Sequence, residues 1–320
     1  MTTPELIAAS GIALVLDAAL GDPAWLPHPV RAIGRAARAL EPLVVARLGR
    51  TRLAGALFAA AIIGGAGALA WLAVALAAVV SPLLEFAVAT GLLYTAFAAG
   101  DLDQEARGIT RALRRGDLPG ARRALARIVG RDTHDLDVRE VVRGGVESIA
   151  ESTLDGCIAP LFWALVGGPA AALAFKAAST LDSLVGHRDE LYRDFGTAAA
   201  RADDVLCWLP ARAARLLFPA AAALTGLRAA EAWRIGWRDG HKSPSPNAGI
   251  PEAAAAGALG VQLGGLNFYA GEPHPRPLLG DPLRELETDD LPRSIRLMYA
   301  VTALAWVAFA SLRLLSHLQG

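Results

Sequence analysis

Cysteine is nearly absent. Cys157 and Cys207 are the only two in 320 residues, and both sit far apart in apolar surroundings, which suits packing and excludes a disulfide framework or a cysteine-based zinc site. A charge excess is missing too: Lys+Arg and Asp+Glu each number 31, so nothing in the balance points to nucleic acid. No Walker P-loop occurs. The glycines at 64, 65 and 67 fall inside an apolar run, where they read as packing residues and not as a dinucleotide loop. Strand signals are almost absent. A cleaved leader is not expected either, because residues 1–5 lack a basic start and the first apolar stretch carries Asp17.

What the chain has is apolar length. Hydrophobic residues make up 54% of it, and the mean hydropathy is +0.38. Alanine inflates both figures, so run length decides: a bilayer core needs about 20 mostly apolar residues in one helix. Residues 54–80 contain no charge at all, 82–99 are interrupted only by Glu85, and 297–312 are uncharged. Residues 6–20, 157–178 and 205–227 complete the apolar segments. The first is short. The second is broken by Gly167-Gly168-Pro169 and carries Lys176, which predicts a discontinuous or re-entrant helix pair, tolerated where protein or a water-filled cavity covers the freed backbone. The third contains Pro210, Arg212, Arg215 and Pro219, and reads as an interfacial helix or a kinked span. The expected fold is therefore all-α: a polytopic integral membrane protein with roughly four to six apolar segments, forming a single membrane-embedded domain over 1–320.

Polar segments at about 21–52, 101–156, 179–204 and 228–296 alternate with these spans. Ser81-Pro82 joins two spans too tightly for a domain, so they form a helical hairpin whose flanks share one side. Those flanks are basic, with arginines at 31, 35, 38, 47, 50 and 52 on one and an arginine-rich 101–143 on the other. The positive-inside rule assigns both to the cytoplasm.

The polar segments hold four clusters. Glu147, Glu151 and Asp155 recur every four residues, which on a helix makes one carboxylate stripe leading into an apolar segment. An Arg143 to Glu147 pair on a solvated face is the ordinary explanation; shared magnesium or a basic substrate is the functional one. Upstream, Arg131-Asp132-Thr133-His134-Asp135 packs acids, a histidine and an arginine ahead of a helix, where Asp137 and Glu140 also fit a capping box. A third cluster runs from Lys176 through Ser179, Thr180, Asp182 and Ser183 to Arg201, a polar density that suggests a lined cavity. The fourth is His241-Lys242-Ser243-Pro244-Ser245-Pro246-Asn247-Ala248-Gly249-Ile250-Pro251-Glu252, a proline-stiffened loop before an alanine-rich helix, suited to cradling phosphate or carboxylate or simply to capping a turn. Trp233 and Trp237 nearby read as an interfacial aromatic belt.

Taken in order, these blocks resemble the CobD/CbiB family of cobalamin biosynthesis. The resemblance runs from Gly21-Asp22-Pro23 and His28-Pro29-Val30 through Gly130-Arg131-Asp132-Thr133, the Glu147/Glu151/Asp155 block and Thr180-Leu181-Asp182-Ser183. It continues through Ala200-Arg201 and Asp203-Asp204 to Ser243-Pro244-Ser245-Pro246-Asn247-Ala248-Gly249, Gly264-Gly265 and Tyr269. Family members commonly have Glu-Asn at Glu151-Ser152, Asn at Ser179 and Tyr at His187.

The resemblance implies an ATP- and magnesium-dependent ligase of the inner membrane. It would join (R)-1-amino-2-propanol or its O-phosphate to the propionate carboxyl of adenosylcobyric acid, an adenosylated corrinoid. A carboxylate and an amine do not condense unaided at neutral pH, so the acid would first be activated, most simply as an acyl phosphate. On this reading Asp132, Glu147, Glu151 and Asp155 hold magnesium. Glu147, Glu151, Asp155, Lys176 and Asp182 form the catalytic set, with a carboxylate as base. His28, Arg131, Thr133, Arg201, His241, Lys242, Ser243, Ser245 and Asn247 bind substrate or phosphate. Other membrane enzymes of the pathway are candidate partners. The rival readings are a transporter, on the strength of Asp17, Glu85 and Lys176 within apolar segments, and a noncatalytic scaffold for corrinoid-pathway enzymes.

Overall fold

The computed structural model describes residues 1–23, 25–187 and 190–319. Arg188 and Asp189, part of the third polar segment, lie outside the described residues. In chain order the helices are α1 (Thr3–Leu20), α2 (Pro29–Leu48), α3 (Arg52–Val80), α4 (Pro82–Tyr94), α5 (Ala99–Arg114), α6 (Leu118–Leu125) and α7 (Val138–Thr153). A π-helical turn, Leu154–Ile158, leads into α8 (Ala159–Val185), followed by α9 (Thr197–Leu224), α10 (Ala229–Asp239) and α11 (Gly249–Leu259). Strands β1 (Leu263–Tyr269) and β2 (Glu272–Leu279) precede α12 (Asp290–Gln319). Among the described residues the fold is all-α apart from that hairpin, and six helical stretches are long and apolar enough to cross a membrane. The chain is a polytopic membrane protein. It divides into two compact units: 1–98 with 159–207 and 306–320, and 99–158 with 208–305.

The first unit is built of apolar helices whose ends are set by local chemistry. Thr2 and Glu5 cap α1 reciprocally, and Thr51 Oγ1 accepts from the Ala54 N–H at the start of α3. Ser81 ends α3 and caps α4, its Oγ accepting from Leu84, which makes the expected tight hairpin. Along α3 the large side chains Leu69, Trp71, Leu76 and Val79 stay exposed. In water such a face would be costly. In a bilayer it is the lipid-facing surface. Of the three glycines expected to pack, only Gly67 does so, where a Cβ would meet Ala170 of α8 at 3.3 Å; at Gly64 and Gly65 a Cβ would meet nothing. The interruption expected in the middle segment is present: Gly167 and Gly168 leave helical geometry, Gly168 at φ 68°, just ahead of Pro169.

The second unit has its own core, with Ile109, Leu125, Val142, Ile149, Leu259, Leu263 and Met298 among its members. Helix α7 contributes Val141, Val142, Val146 and Ile149 to it, one apolar face at helical spacing, and the expected capping box at Asp137 and Glu140 fixes where the helix begins. Close approach of α10 and α11 depends on glycine: a Cβ at Gly257 would lie 2.4 Å from the Glu231 carbonyl oxygen.

The β-hairpin is the main element that the sequence reading missed. Ala270 and Gly271 both take positive φ, the geometry that lets a two-residue turn reverse an antiparallel pair. Pro273, Pro275 and Pro277 alternate with His274 and Arg276 in β2, so the missing N–H groups can all fall on the outer edge of a two-stranded sheet.

Candidate active site

A cavity of about 130 Å³ opens in the second unit. Arg131, Glu147, Glu151, Glu252 and Arg276 supply its charged lining, and Ser148, Ser243 and Tyr269 are its hydroxyl-bearing residues. Three of the four polar clusters of the sequence thus meet at one place: the segment before α7, α7 itself, and the loop before α11. A space of that size suits a small molecule and is too small to enclose a macrocycle.

One wall is locked by hydrogen bonds. Arg131, buried, donates to Glu147 Oε2 and to Asn267 Oδ1 of β1. Glu147 Oε1 accepts from the Gly264 N–H at 2.7 Å. Both carboxylate oxygens of Glu147 are therefore engaged. Arg143 does not form the expected i,i+4 pair with Glu147. It reaches into the hairpin instead, donating to the Gly264 and Leu266 carbonyls and to Asn267 Oδ1. Gly144 makes room for this arrangement, since a Cβ there would lie 2.8 Å from Arg131 Nη2. Asp132 Oδ2 accepts from the Gly271 N–H at 2.8 Å and so secures the hairpin turn.

The opposite wall differs. Glu252 stands in the first turn of α11, and no hydrogen bond or ion pair joins its carboxylate to another described residue. Burial pushes its pKa well above the usual carboxylate range, and the neighbouring Glu151 and Glu147 push it further, while Arg276 and Arg131 oppose them. Arg276, from β2, faces the same cavity opposite a glycine, Gly265, in the cross-strand register. Arg276 is exposed on the strand and shares a hydrogen bond with Tyr269; partial burial would lower its pKa, but that bond, with Glu252 and Glu151, outweighs it and raises the pKa, so it stays a cation.

Other expected residues have more local duties. Lys242 pairs with the buried Asp239 at 2.7 Å, as does Arg238. Burial would raise the Asp239 pKa, but those two cations and the Gly280 N–H prevail and hold it below the usual carboxylate range. Ser245 Oγ accepts from the Asn247 and Ala248 N–H groups, and the buried Asn247 accepts from Arg212 Nη1 at 2.7 Å. The loop thus spends Ser245 and Asn247 on its own shape, and only Ser243 lines the cavity. His241 is exposed, and Thr133 forms a turn with Leu136.

The carboxylate stripe is shorter than its four-residue spacing implies. Asp155 falls in the π-helical turn, where the wider winding moves it out of register, and it does not line the cavity with Glu147 and Glu151. Among the described residues no three His, Cys, Asp or Glu side chains converge to hold a metal ion, so Asp132, Glu147, Glu151 and Asp155 do not assemble as one ligand set. His28, Lys176, Asp182 and Arg201 belong to the first unit. There His28 Nε2 lies 2.9 Å from Asp22 Oδ2, Lys176 and Asp182 are half-buried, and Arg201 is exposed.

Glu252 closes the fourth cluster of the sequence but was given no role there, and Arg276 was not singled out. Glu252 is the lone charge in an alanine-rich helix, and a charge isolated in an apolar run was itself a usable signal. Arg276 hides among prolines that mask its strand.

Comparison with known proteins identifies the family. The family model for the CobD/Cbib protein matches residues 10–298. A Geobacter metallireducens protein named cobalamin biosynthesis protein CobD is 49% identical over 292 residues, covering 91% of this chain and 92% of that one. A Klebsiella pneumoniae protein of the same name is 44% identical over 94% of this chain and 96% of its own. The Salmonella typhimurium cobalamin biosynthesis protein CbiB is 43% identical over 92% and 93%. No solved structure matches significantly. With nearly its whole length aligned to these relatives, the chain belongs to the CobD/CbiB family.

Proposed function

We propose that this protein acts in cobalamin biosynthesis as an amide-forming ligase, joining 1-amino-2-propanol or its O-phosphate to a propionate carboxyl of adenosylcobyric acid at the expense of ATP. The relatives' names support the pathway. The single observation that supports the chemistry is the small cavity in which carboxylates, guanidinium groups and a serine from separate segments converge. Amide formation needs such a mixture: cations to offset charge on an activated carboxyl and its leaving group, and a carboxylate to take the ammonium proton.

On this reading the cavity would take the small amine, whose size it suits, and the corrinoid would stay outside it. Magnesium typically takes one or two carboxylates and fills its shell with water and phosphate oxygens. A full protein cage is therefore not required. Glu151 would hold it; Glu147, with both oxygens engaged, is the scaffold beside it. Magnesium supplies charge neutralisation on the nucleotide phosphates. The reaction would take place at the cytoplasmic face of the cell membrane, where the arginine-rich segments belong under the positive-inside rule.

The decisive test uses purified full-length protein in detergent with adenosylcobyric acid, ATP, magnesium and each amine separately, the product being identified by mass. Amide formed without any ion gradient supports the ligase and removes the transporter reading. Product formation that depends on added pathway enzymes, and survives Glu151→Gln, would make it a scaffold instead.

A further inference from the structure

Helix α5 carries arginines at 107, 111 and 114, a spacing of four and three residues that puts all three on one face. Like charges one turn apart repel each other. Opposite them lies the first part of α12, and its Arg296 joins the three around an open cleft of about 570 Å³ within the second unit. Asp103 is the one carboxylate in that lining among the described residues, and it is already engaged: Arg107 donates to both its oxygens and Tyr299 to one of them. Arg114 pairs with Asp289. Arg111 and Arg296 are exposed, and neither forms an ion pair with a described residue. The cleft thus presents a surplus of positive charge above an apolar base of Ala106, Pro292 and Ile295.

Two contacts fix how these helices pass each other, since Tyr299 donates to Asp103 and Arg114 donates to Asp289. They run antiparallel. In that register Arg296 falls opposite the turn that holds Arg107, with Arg111 about one helical turn further from the apolar part of α12. Immediately after Arg296 the chain is uncharged over residues 297–312, within the helix that is long and apolar enough to cross the membrane. An arginine at the edge of such a run sits at the depth of the lipid headgroups, where its guanidinium reaches the interface while the helix continues into hydrocarbon. We propose that this cleft binds the phosphate of an anionic glycerophospholipid, gripped by Arg111 and Arg296, with Arg107 and Arg114 adding positive potential and the apolar base receiving the glycerol backbone. Guanidinium groups suit that ligand because each can hold a phosphate through parallel hydrogen bonds. A lipid is a better occupant than a soluble phosphate, because the bilayer confines its phosphates to the depth at which Arg296 lies and so raises their local concentration. The cleft shares no lining residue with the small cavity between α7, α11 and the hairpin, and its assignment does not depend on the ligase reading.

The test titrates the full chain, purified in detergent, with phosphatidylglycerol, with zwitterionic phosphatidylcholine and with glycerophosphate, and counts bound molecules by native mass spectrometry. The wild-type protein should bind phosphatidylglycerol about tenfold or more tightly than phosphatidylcholine. Combining Arg111→Gln with Arg296→Gln should remove that preference, whereas Arg111→Lys with Arg296→Lys keeps the charges without the planar fork and should retain part of it. Arg115→Gln deletes an exposed arginine that does not line the cleft, so it should leave the preference intact. A preference that survives the double glutamine variant, or one lost equally in Arg115→Gln, overturns the proposal. So does a wild-type protein that binds the two lipids alike, a measurement that needs no variant to fold. Glycerophosphate bound as tightly as phosphatidylglycerol would make the cleft a site for soluble anions and overturns the lipid assignment as well.

Discussion

The two walls of the cavity use the same residue types for opposite ends. On one side Arg131 and Glu147 are tied to each other, to Asn267 and to the Gly264 N–H. On the other, Glu252 faces the space without an ion pair among the described residues, while Arg276 is exposed and hydrogen-bonded to Tyr269. A charge with every hydrogen bond satisfied specifies a structure, while one left open toward a cavity keeps its interaction energy for a ligand. Sequence position does not tell these apart. Glu147 stands in the middle of α7, yet its partners are Arg131 and the Gly264 N–H of the hairpin and not its neighbours along the helix.

The strongest way to break this contrast is Arg131→Ala. It leaves Glu147 charged and half-buried without its guanidinium, which should cost about 3–5 kcal/mol in denaturant unfolding, with loss of activity following from loss of structure. Retained stability would mean that the locked wall is not structural. Next, Asp239→Asn removes the shared partner of Arg238 and Lys242 but keeps an acceptor for the Gly280 N–H. A destabilisation of about 1–3 kcal/mol is expected at neutral pH. Because the folded-state pKa of Asp239 is depressed, its contribution is present above the ordinary carboxylate range and is lost as pH falls through the folded value. The difference between wild type and variant should therefore shrink in acid.

Glu252 gives the opposite sign. Its pKa is raised in the folded state, so the native protein binds more protons than the unfolded one above the ordinary carboxylate range, and stability falls as pH rises through the raised value. Glu252→Gln should be at least as stable as wild type at neutral pH and should flatten that slope in thermal unfolding scans. A variant less stable than wild type would show that Glu252 is structural after all. The smallest effect belongs to the loop. Ser245→Ala removes only the acceptor that shapes the turn before α11, so it should cost about 1 kcal/mol or less and leave the relative affinity for the two amines unchanged.

Much of the fold was legible in the sequence because spanning a bilayer imposes a length that few other constraints mimic. The uncharged run at 54–80, the Ser81-Pro82 hairpin and the break at Gly167-Gly168 are each written in a few adjacent residues. The β-hairpin was not, because three prolines obscure the strand and its register depends on a positive-φ turn. For the site, Arg131, Glu147, Glu151 and Ser243, expected as binding or catalytic residues, line one cavity, whereas the four carboxylates Asp132, Glu147, Glu151 and Asp155 do not assemble as one set among the described residues. A single π-helical turn takes Asp155 away, and two backbone N–H groups claim an oxygen each from Glu147 and Asp132.

By itself, then, the sequence determined that this is a multi-pass helical membrane protein with polar clusters between its spans, since hydropathy and helical period act over adjacent residues. Only the tertiary structure decided which charges are spent on the fold and which are left to act. That depends on hydrogen bonds between residues more than 100 positions apart, such as Arg131 with Asn267 and Glu147 with Gly264, and no local pattern encodes them.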